Sequence, residues 1–250
     1  MKLAQELYEY FNTLHVKYPP KEYRVDWQQG QPVPYLVIDN FLPEHLYKAA
    51  QAEISQIPPH QWTQFTRRGS LMNECKNLAG APVLQTLAHC FNSGVFLDWL
   101  EGFTGLERII SDPRLVGAGL STCQPGHSLK LHTDFNWNEQ LHLNRAMSLI
   151  LYLAPDWDPA WGGGLEFWDF ERKGCVSRVD CLPNRLLLWL YDERLIHGYP
   201  EPIQCPEGHQ RENLRLFYYK SNSTPESQPH RSLYWWDEAL KAPYDVRTEK

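Results

Sequence analysis

The sequence has no Cys-x-x-Cys pair and no long basic run. It also has no apolar segment approaching the roughly 20 residues that cross a bilayer. Each absence removes a class. The six cysteines, Cys75, Cys90, Cys123, Cys175, Cys181 and Cys205, do not pair at zinc-ribbon spacing. Without a basic run, and with a net charge of −6, a nucleic-acid backbone is not the expected partner. Without a long apolar run, neither is a membrane. The first ten residues carry acids where a signal peptide needs an apolar stretch. The expectation is a cytoplasmic protein with reduced thiols, although an even cysteine count also suits disulfides. No repeat and no linker divides the 250 residues, so one domain is expected.

What is abundant is aromatic and apolar. Hydrophobic residues make up 42% and aromatic ones 13%, with 10 Trp, enough for a proper core. Leu3, Leu7, Tyr10, Phe11 and Leu14 recur at helical spacing, predicting a helix over 1–18 that Pro19-Pro20 ends. Residues 21–34 read as an irregular connection and 34–39 as a short buried strand. A helix follows from Asn40 to about Ile57, with Pro43 in its first turn. Residues 58–77 are poor in apolar side chains and read as a loop, either ordinary surface or a lid. A second helix is expected from Ala81 to about Thr104, stopped by Gly105.

From residue 114 the texture changes to short β-like runs between turns. Expected strands are 115–123, 129–134, 146–153, 165–169, 175–181, 185–191, 195–199 and 213–220. Eight short strands at this density suggest a jelly roll or double-stranded β-helix. The class is therefore mostly β with flanking helices (α+β). Residues 1–110 are helical support and lid region, 111–220 the core, and 221–250 a polar tail apart from Leu233-Tyr-Trp-Trp236.

One stretch carries the chemistry. In Leu131-His-Thr-Asp-Phe-Asn136, His132 and Asp134 are two residues apart, which puts both on one face of a strand. With His197 as third ligand they would form the two-His, one-carboxylate set that suits non-haem Fe(II) and leaves positions open. A lone His-x-Asp is more often a surface hydrogen bond, so the downstream sequence decides. There, Arg211-Glu-Asn-Leu-Arg-Leu-Phe-Tyr-Tyr-Lys220 alternates. Arg211, Asn213, Arg215 and Phe217 share one face, and Leu214, Leu216 and Tyr218 the other. Two arginines on a barrel strand are costly unless an anion meets them. Either Arg211 forks onto a dicarboxylate, or it sits at the strand's mouth in water.

Taken together, His132-x-Asp134, His197 and Arg211 resemble the Fe(II)/2-oxoglutarate-dependent dioxygenases, in particular the prolyl 4-hydroxylase-like branch. Cys123-Gln-Pro-Gly126, Arg145-Ala-Met-Ser-Leu-Ile-Leu-Tyr-Leu153, Trp161-Gly-Gly-Gly-Leu-Glu-Phe167, Pro183-Asn-Arg-Leu-Leu-Leu188 and His197-Gly-Tyr-Pro-Glu-Pro202 are similar to that branch too. The resemblance covers about residues 110–220 and only loosely the helices before them. It implies a double-stranded β-helix with the metal inside its mouth, and Fe(II), 2-oxoglutarate and O2 as cofactor and co-substrates. It further implies hydroxylation of a peptidyl or free amino acid, proline first, with 2-oxoglutarate converted to succinate and CO2. Related halogenases leave the carboxylate position empty, so Asp134 argues for hydroxylation. The branch also implies that Tyr152 helps bind the distal carboxylate; a core aromatic is the other reading. Asn213 stands where the family often has Ser, and can still donate to a carboxylate. The competing class is a cupin-like protein that binds a metal or sugar without oxidation. His127 and His142 read as loop histidines, Trp137, Trp157, Trp161 and Trp168 as packing, and 135–144 as a loop that could touch substrate.

Overall fold

The computed structural model describes residues 2–171, 173–221, 229–234 and 244–245. Its helices are α1 (Lys2–Asn12), α2 (Leu14–Lys17), α3 (Pro20–Gln29), α4 (Glu44–Ile54), α5 (Pro82–Phe91) and α6 (Gly94–Thr104). Its strands are β1 (Tyr35–Ile38), β2 (Thr63–Arg67), β3 (Ser70–Cys75), β4 (Ile109–Ser111), β5 (Gly119–Cys123), β6 (Leu129–Thr133), β7 (Trp137–Asn138), β8 (Leu143–Tyr152), β9 (Leu165–Trp168), β10 (Cys175–Val179), β11 (Leu186–Leu190), β12 (Ile196–Tyr199), β13 (Arg211–Lys220), β14 (Leu233–Tyr234) and β15 (Tyr244–Asp245). The pairings are antiparallel, in a major sheet ordered β1-β11-β8-β13-β5-β3-β2 and a minor sheet ordered β10-β9-β12-β6-β14-β15. This is a double-stranded β-helix core with helices on the outer face of the major sheet.

The apolar runs of β8 and β11 explain the layering, because both faces of these strands are buried. Leu149, Leu151, Leu186 and Leu188 join the outer core with the helices. Ile150, Tyr152, Leu187 and Trp189 join Leu165, Phe167, Val179 and Tyr199 in the core between the sheets. Outside, α1, α5 and α6 pack an aromatic chain. Phe91 meets Phe96 at 4.9 Å and Trp99 meets Phe103 at 4.8 Å between centroids. Such pairs contribute roughly 0.5–1.5 kcal/mol each beyond area burial.

Four segments differ from the sequence reading. The first helix breaks at Thr13, and the long second helix breaks at Asn92-Ser93, where the Ser93 hydroxyl accepts from Phe96 N and restarts the chain as α6. Residues 21–29, expected to be irregular, belong to α3. Pro20 starts it and only Trp27 is buried, against Phe103 at 5.5 Å, so the segment shows no apolar stripe. The expected loop over 58–77 is largely a hairpin. Arg68 and Gly69 both take positive φ at its turn, and β3 pairs with β5. All six cysteines are free thiols. Trp235 and Trp236 of the tail lie outside the described residues.

Glu212, on the β13 face opposite Arg211, packs beneath α4. Burial pushes its carboxyl up to about 7, against an opposing hydrogen bond donated by Gln210 (2.8 Å). The folded state therefore binds a proton that the unfolded chain releases near 4.5. Stability conferred by this group is complete below about 4.5 and is lost as pH rises through about 7. Glu212→Gln is expected to stabilise the protein above neutral pH, on the order of 3 kcal/mol, and to change little near pH 4.5. Urea melts of both proteins across pH check this; a difference independent of pH would remove the ionisation as its source.

Candidate active site

Register builds the site. On the minor sheet β12 pairs with β6 so that His197 stands opposite His132. Asp134 follows β6 by one residue. His132 Nε2 lies 3.7 Å from Asp134 Oδ1, and His197 Nε2 lies 3.4 Å from Asp134 Oδ2. Both gaps exceed a normal hydrogen bond, and one ligand atom from each residue falls within 4.8 Å of the others. That is the spacing of donors that share an ion. His132 Nδ1 is 2.9 Å from the Lys130 carbonyl, which orients the ring and leaves Nε2 for the ion. Burial lowers the His197 pKa despite the opposing Asp134 charge, favouring the neutral ligand form. Burial alone would raise the Asp134 carboxyl, but Arg145 and the two histidines hold it well below the usual range. The donor set therefore fits a divalent metal of the Fe(II) kind.

The major sheet supplies the anion end. Arg211 at the start of β13 is 2% exposed. Its Nε donates to the Gly163 carbonyl (2.9 Å), its Nη2 reaches the Tyr152 hydroxyl (3.4 Å), and its Cζ lies 4.5 Å from the Tyr199 ring centroid. No acidic side chain among the described residues pairs with it. Gly163 sits at φ +74, and a Cβ there would come within 3.1 Å of Arg211 Cδ, so the Trp161-Gly-Gly-Gly turn seats this arginine. Asn213 accepts from the Ser121 hydroxyl at 3.0 Å, and its Nδ2 has no partner among the described residues. A buried cation beside an unused amide donor is a fit for a carboxylate from outside.

A cavity of about 600 Å³ joins the two ends, lined among others by His132, Asp134, His197, Arg211 and Asn213. Tyr152 does not line it; burial pushes its hydroxyl up to about 12, and the residue stands behind Arg211. Arg215 lines the cavity but is ion-paired with Glu74 of β3. From the 135–144 loop Phe135, Trp137, Asn138, Glu139 and Gln140 reach the mouth. Of the four tryptophans read as packing, Trp137 lines the cavity, whereas Trp157 and Trp161 stack edge to face at 5.3 Å. His127 and His142 are not in the ligand group.

The sequence reading did not pick out three features. Tyr199 lines the anion end; it lies two residues beyond His197 on β12, a period-2 signal that was available. Arg145 of β8 donates to Asp134, and nothing local in the sequence announces that contact. Residues 229–232 line the mouth, because β14 pairs with the metal strand at Leu233↔Thr133.

A family model for the 2OG-Fe(II) oxygenase superfamily matches residues 118–219. No curated protein matches significantly. Among solved structures, a prolyl hydroxylase from Trichoplax adhaerens, in complex with a hypoxia inducible factor peptide fragment, is 17% identical. It has a TM-score of 0.61, covering 83% of this chain and 93% of that one. A Phytophthora capsici prolyl 4-hydroxylase is 17% identical with a TM-score of 0.58, covering 90% and 69%. The non-heme alpha-ketoglutarate-dependent epimerase SnoN from nogalamycin biosynthesis is 11% identical with a TM-score of 0.58, covering 89% and 88%. At these identities the structural likenesses show the shared fold.

Proposed function

We propose that this chain, a 2OG-Fe(II) oxygenase through its residues 118–219, hydroxylates an unactivated C–H of a peptidyl or free amino acid, with proline the first to test. The reading couples that reaction to conversion of 2-oxoglutarate to succinate and CO2. The observation that carries it is one cavity holding a two-His, one-carboxylate set at one end and, at the other, a buried arginine with no carboxylate partner among the described residues. A cupin-like binding module has no need of the second feature.

His132, Asp134 and His197 would hold Fe(II), and with 2-oxoglutarate and O2 the metal supplies an oxidant that no side chain could provide. The rest falls to the protein. Arg211 presents its fork to the distal carboxylate, and a charge-assisted pair at this buried end of the cavity fixes the co-substrate's direction. Tyr152, held protonated, braces the guanidinium from behind, and Asn213 Nδ2 offers a further donor. Asp134 fills the third ligand position, which supports hydroxylation as the outcome. Phe65, Met72, Phe135 and Trp137 give the mouth an apolar wall that suits an aliphatic ring, while Arg67, Lys76 and Arg231 make the rim basic. The hairpin of β2 and β3 forms part of that wall, and we assign the whole chain to one working domain.

The experiment is incubation with Fe(II), 2-oxoglutarate and air, against free amino acids and proline-containing peptides. Succinate and a product gaining one oxygen atom are expected together. Succinate with an epimerised or otherwise unoxygenated product would replace hydroxylation by another outcome of this chemistry. Metal binding with no succinate under any condition would favour the cupin-like alternative.

A further inference from the structure

Arg145 lies on the major sheet, whereas all three candidate ligands belong to the minor sheet or its continuation. Its side chain is fully buried. Nη2 donates to Asp134 Oδ2 at 2.7 Å and to the Ser148 hydroxyl at 2.8 Å. Its Cζ sits 3.5 Å from the Phe217 ring centroid and 4.6 Å from that of Phe135. The guanidinium is thus held by two rings and, through Nη2 alone, by a hydroxyl and one carboxylate oxygen, while Nε and Nη1 have no hydrogen-bond partner among the described residues. Asp134 itself stands one residue past the end of β6.

We propose that Arg145 is a positioning residue: its hydrogen bond to Asp134 Oδ2 fixes the carboxylate's orientation beside the two histidines and so keeps it a one-oxygen ligand. The proposal rests on the reading of His132, Asp134 and His197 as the iron ligands. Its consequence follows from counting positions. A six-coordinate metal held by two imidazoles and one carboxylate oxygen would keep three places for a chelating keto acid and O2. A carboxylate that swung round to bind through both oxygens would take one of these. Cation repulsion alone gives Arg145 no reason to stand beside a metal site; its stacking and its bond to Ser148 hold it there against that repulsion.

The test uses Co(II) as a redox-inert probe, with melting of the metal-free proteins as a check of folding. Arg145→Met is expected to change the visible spectrum of the Co(II) protein and to weaken 2-oxoglutarate binding to it by about tenfold, the low end of the roughly 10–100-fold by which lost outer partners of metal ligands lower metal affinity or activity. Arg145→Lys, which can still donate to Asp134, is expected to return both readouts toward the wild type. A folded Arg145→Met protein with unchanged spectrum and unchanged 2-oxoglutarate affinity would overturn the proposal, whatever its affinity for Co(II). Where Arg145→Met does not fold, Arg145→Gln is read in the same way, and an unchanged spectrum and affinity again overturn it. A wild-type protein that binds no Co(II) overturns the ligand reading itself, an outcome distinct from the failure of Arg145 alone.

Discussion

Alanine at His132, Asp134 or His197 is expected to abolish both succinate formation and substrate oxidation. Each removes one of three protein donors, so the loss should exceed the roughly 10–100-fold that outer partners of a ligand are worth. The three are not expected to be equal in stability. His132 and His197 are held by the backbone pairing of β6 with β12, which does not depend on their imidazoles. Asp134 also pairs with the fully buried Arg145, and its loss leaves that cation without a carboxylate. Breaking one side of a buried pair costs about 3–5 kcal/mol. Thermal melting of the metal-free variants should therefore show Asp134→Ala well below the two histidine variants, all three still folded at room temperature. Full turnover in any one excludes that residue from the ligand set. Collapse of all three alike would point to a metal with a structural duty.

Much of this site can be read in the sequence because it is carried by strands. Period 2 places His132 with Asp134, and Arg211 with Asn213, Arg215 and Phe217, without knowledge of the rest of the chain. All of these line the one cavity. Pairing between distant strands is another matter. Arg145 reaches Asp134 only because β8 and β6 face each other from different sheets, and Arg215 is neutralised only because β3 lies next to β5. Neither contact leaves a local trace. The hairpin of β2 and β3 was hidden because its first strand is exposed on both faces and has no apolar alternation to show. The α3 helix was hidden for the matching reason, a single buried residue in ten. By contrast, β8 and β11, buried on both faces, were plain as apolar runs.

Arg211 and Arg215 face the same cavity four residues apart, and their removal should give opposite signatures. Arg215 has its counter-charge in Glu74, so it has no call on an outside anion. Arg215→Ala should leave 2-oxoglutarate affinity within a few-fold and act mainly on stability, because it strands the Glu74 carboxylate on β3. Arg211 is the converse. It is buried, it has no carboxylate partner among the described residues, and its fixed contacts are a carbonyl, two tyrosines and the Cys181 thiol. A charge-assisted bond contributes roughly 1.5–3 kcal/mol, so Arg211→Met should weaken 2-oxoglutarate binding on the order of tenfold to a hundredfold. The same change removes an uncompensated buried cation and fills its space with an apolar chain of similar length. The metal-free Arg211→Met protein should consequently melt at or above the wild-type temperature, losing only the upward shift that added 2-oxoglutarate gives the wild type. Calorimetric titration and melting with and without the co-substrate read both halves. Equal and small effects on affinity at the two positions would place the co-substrate's anchor elsewhere in the cavity. A large loss of stability on replacing Arg211 would mean that its charge is compensated within the protein and is not waiting for a carboxylate.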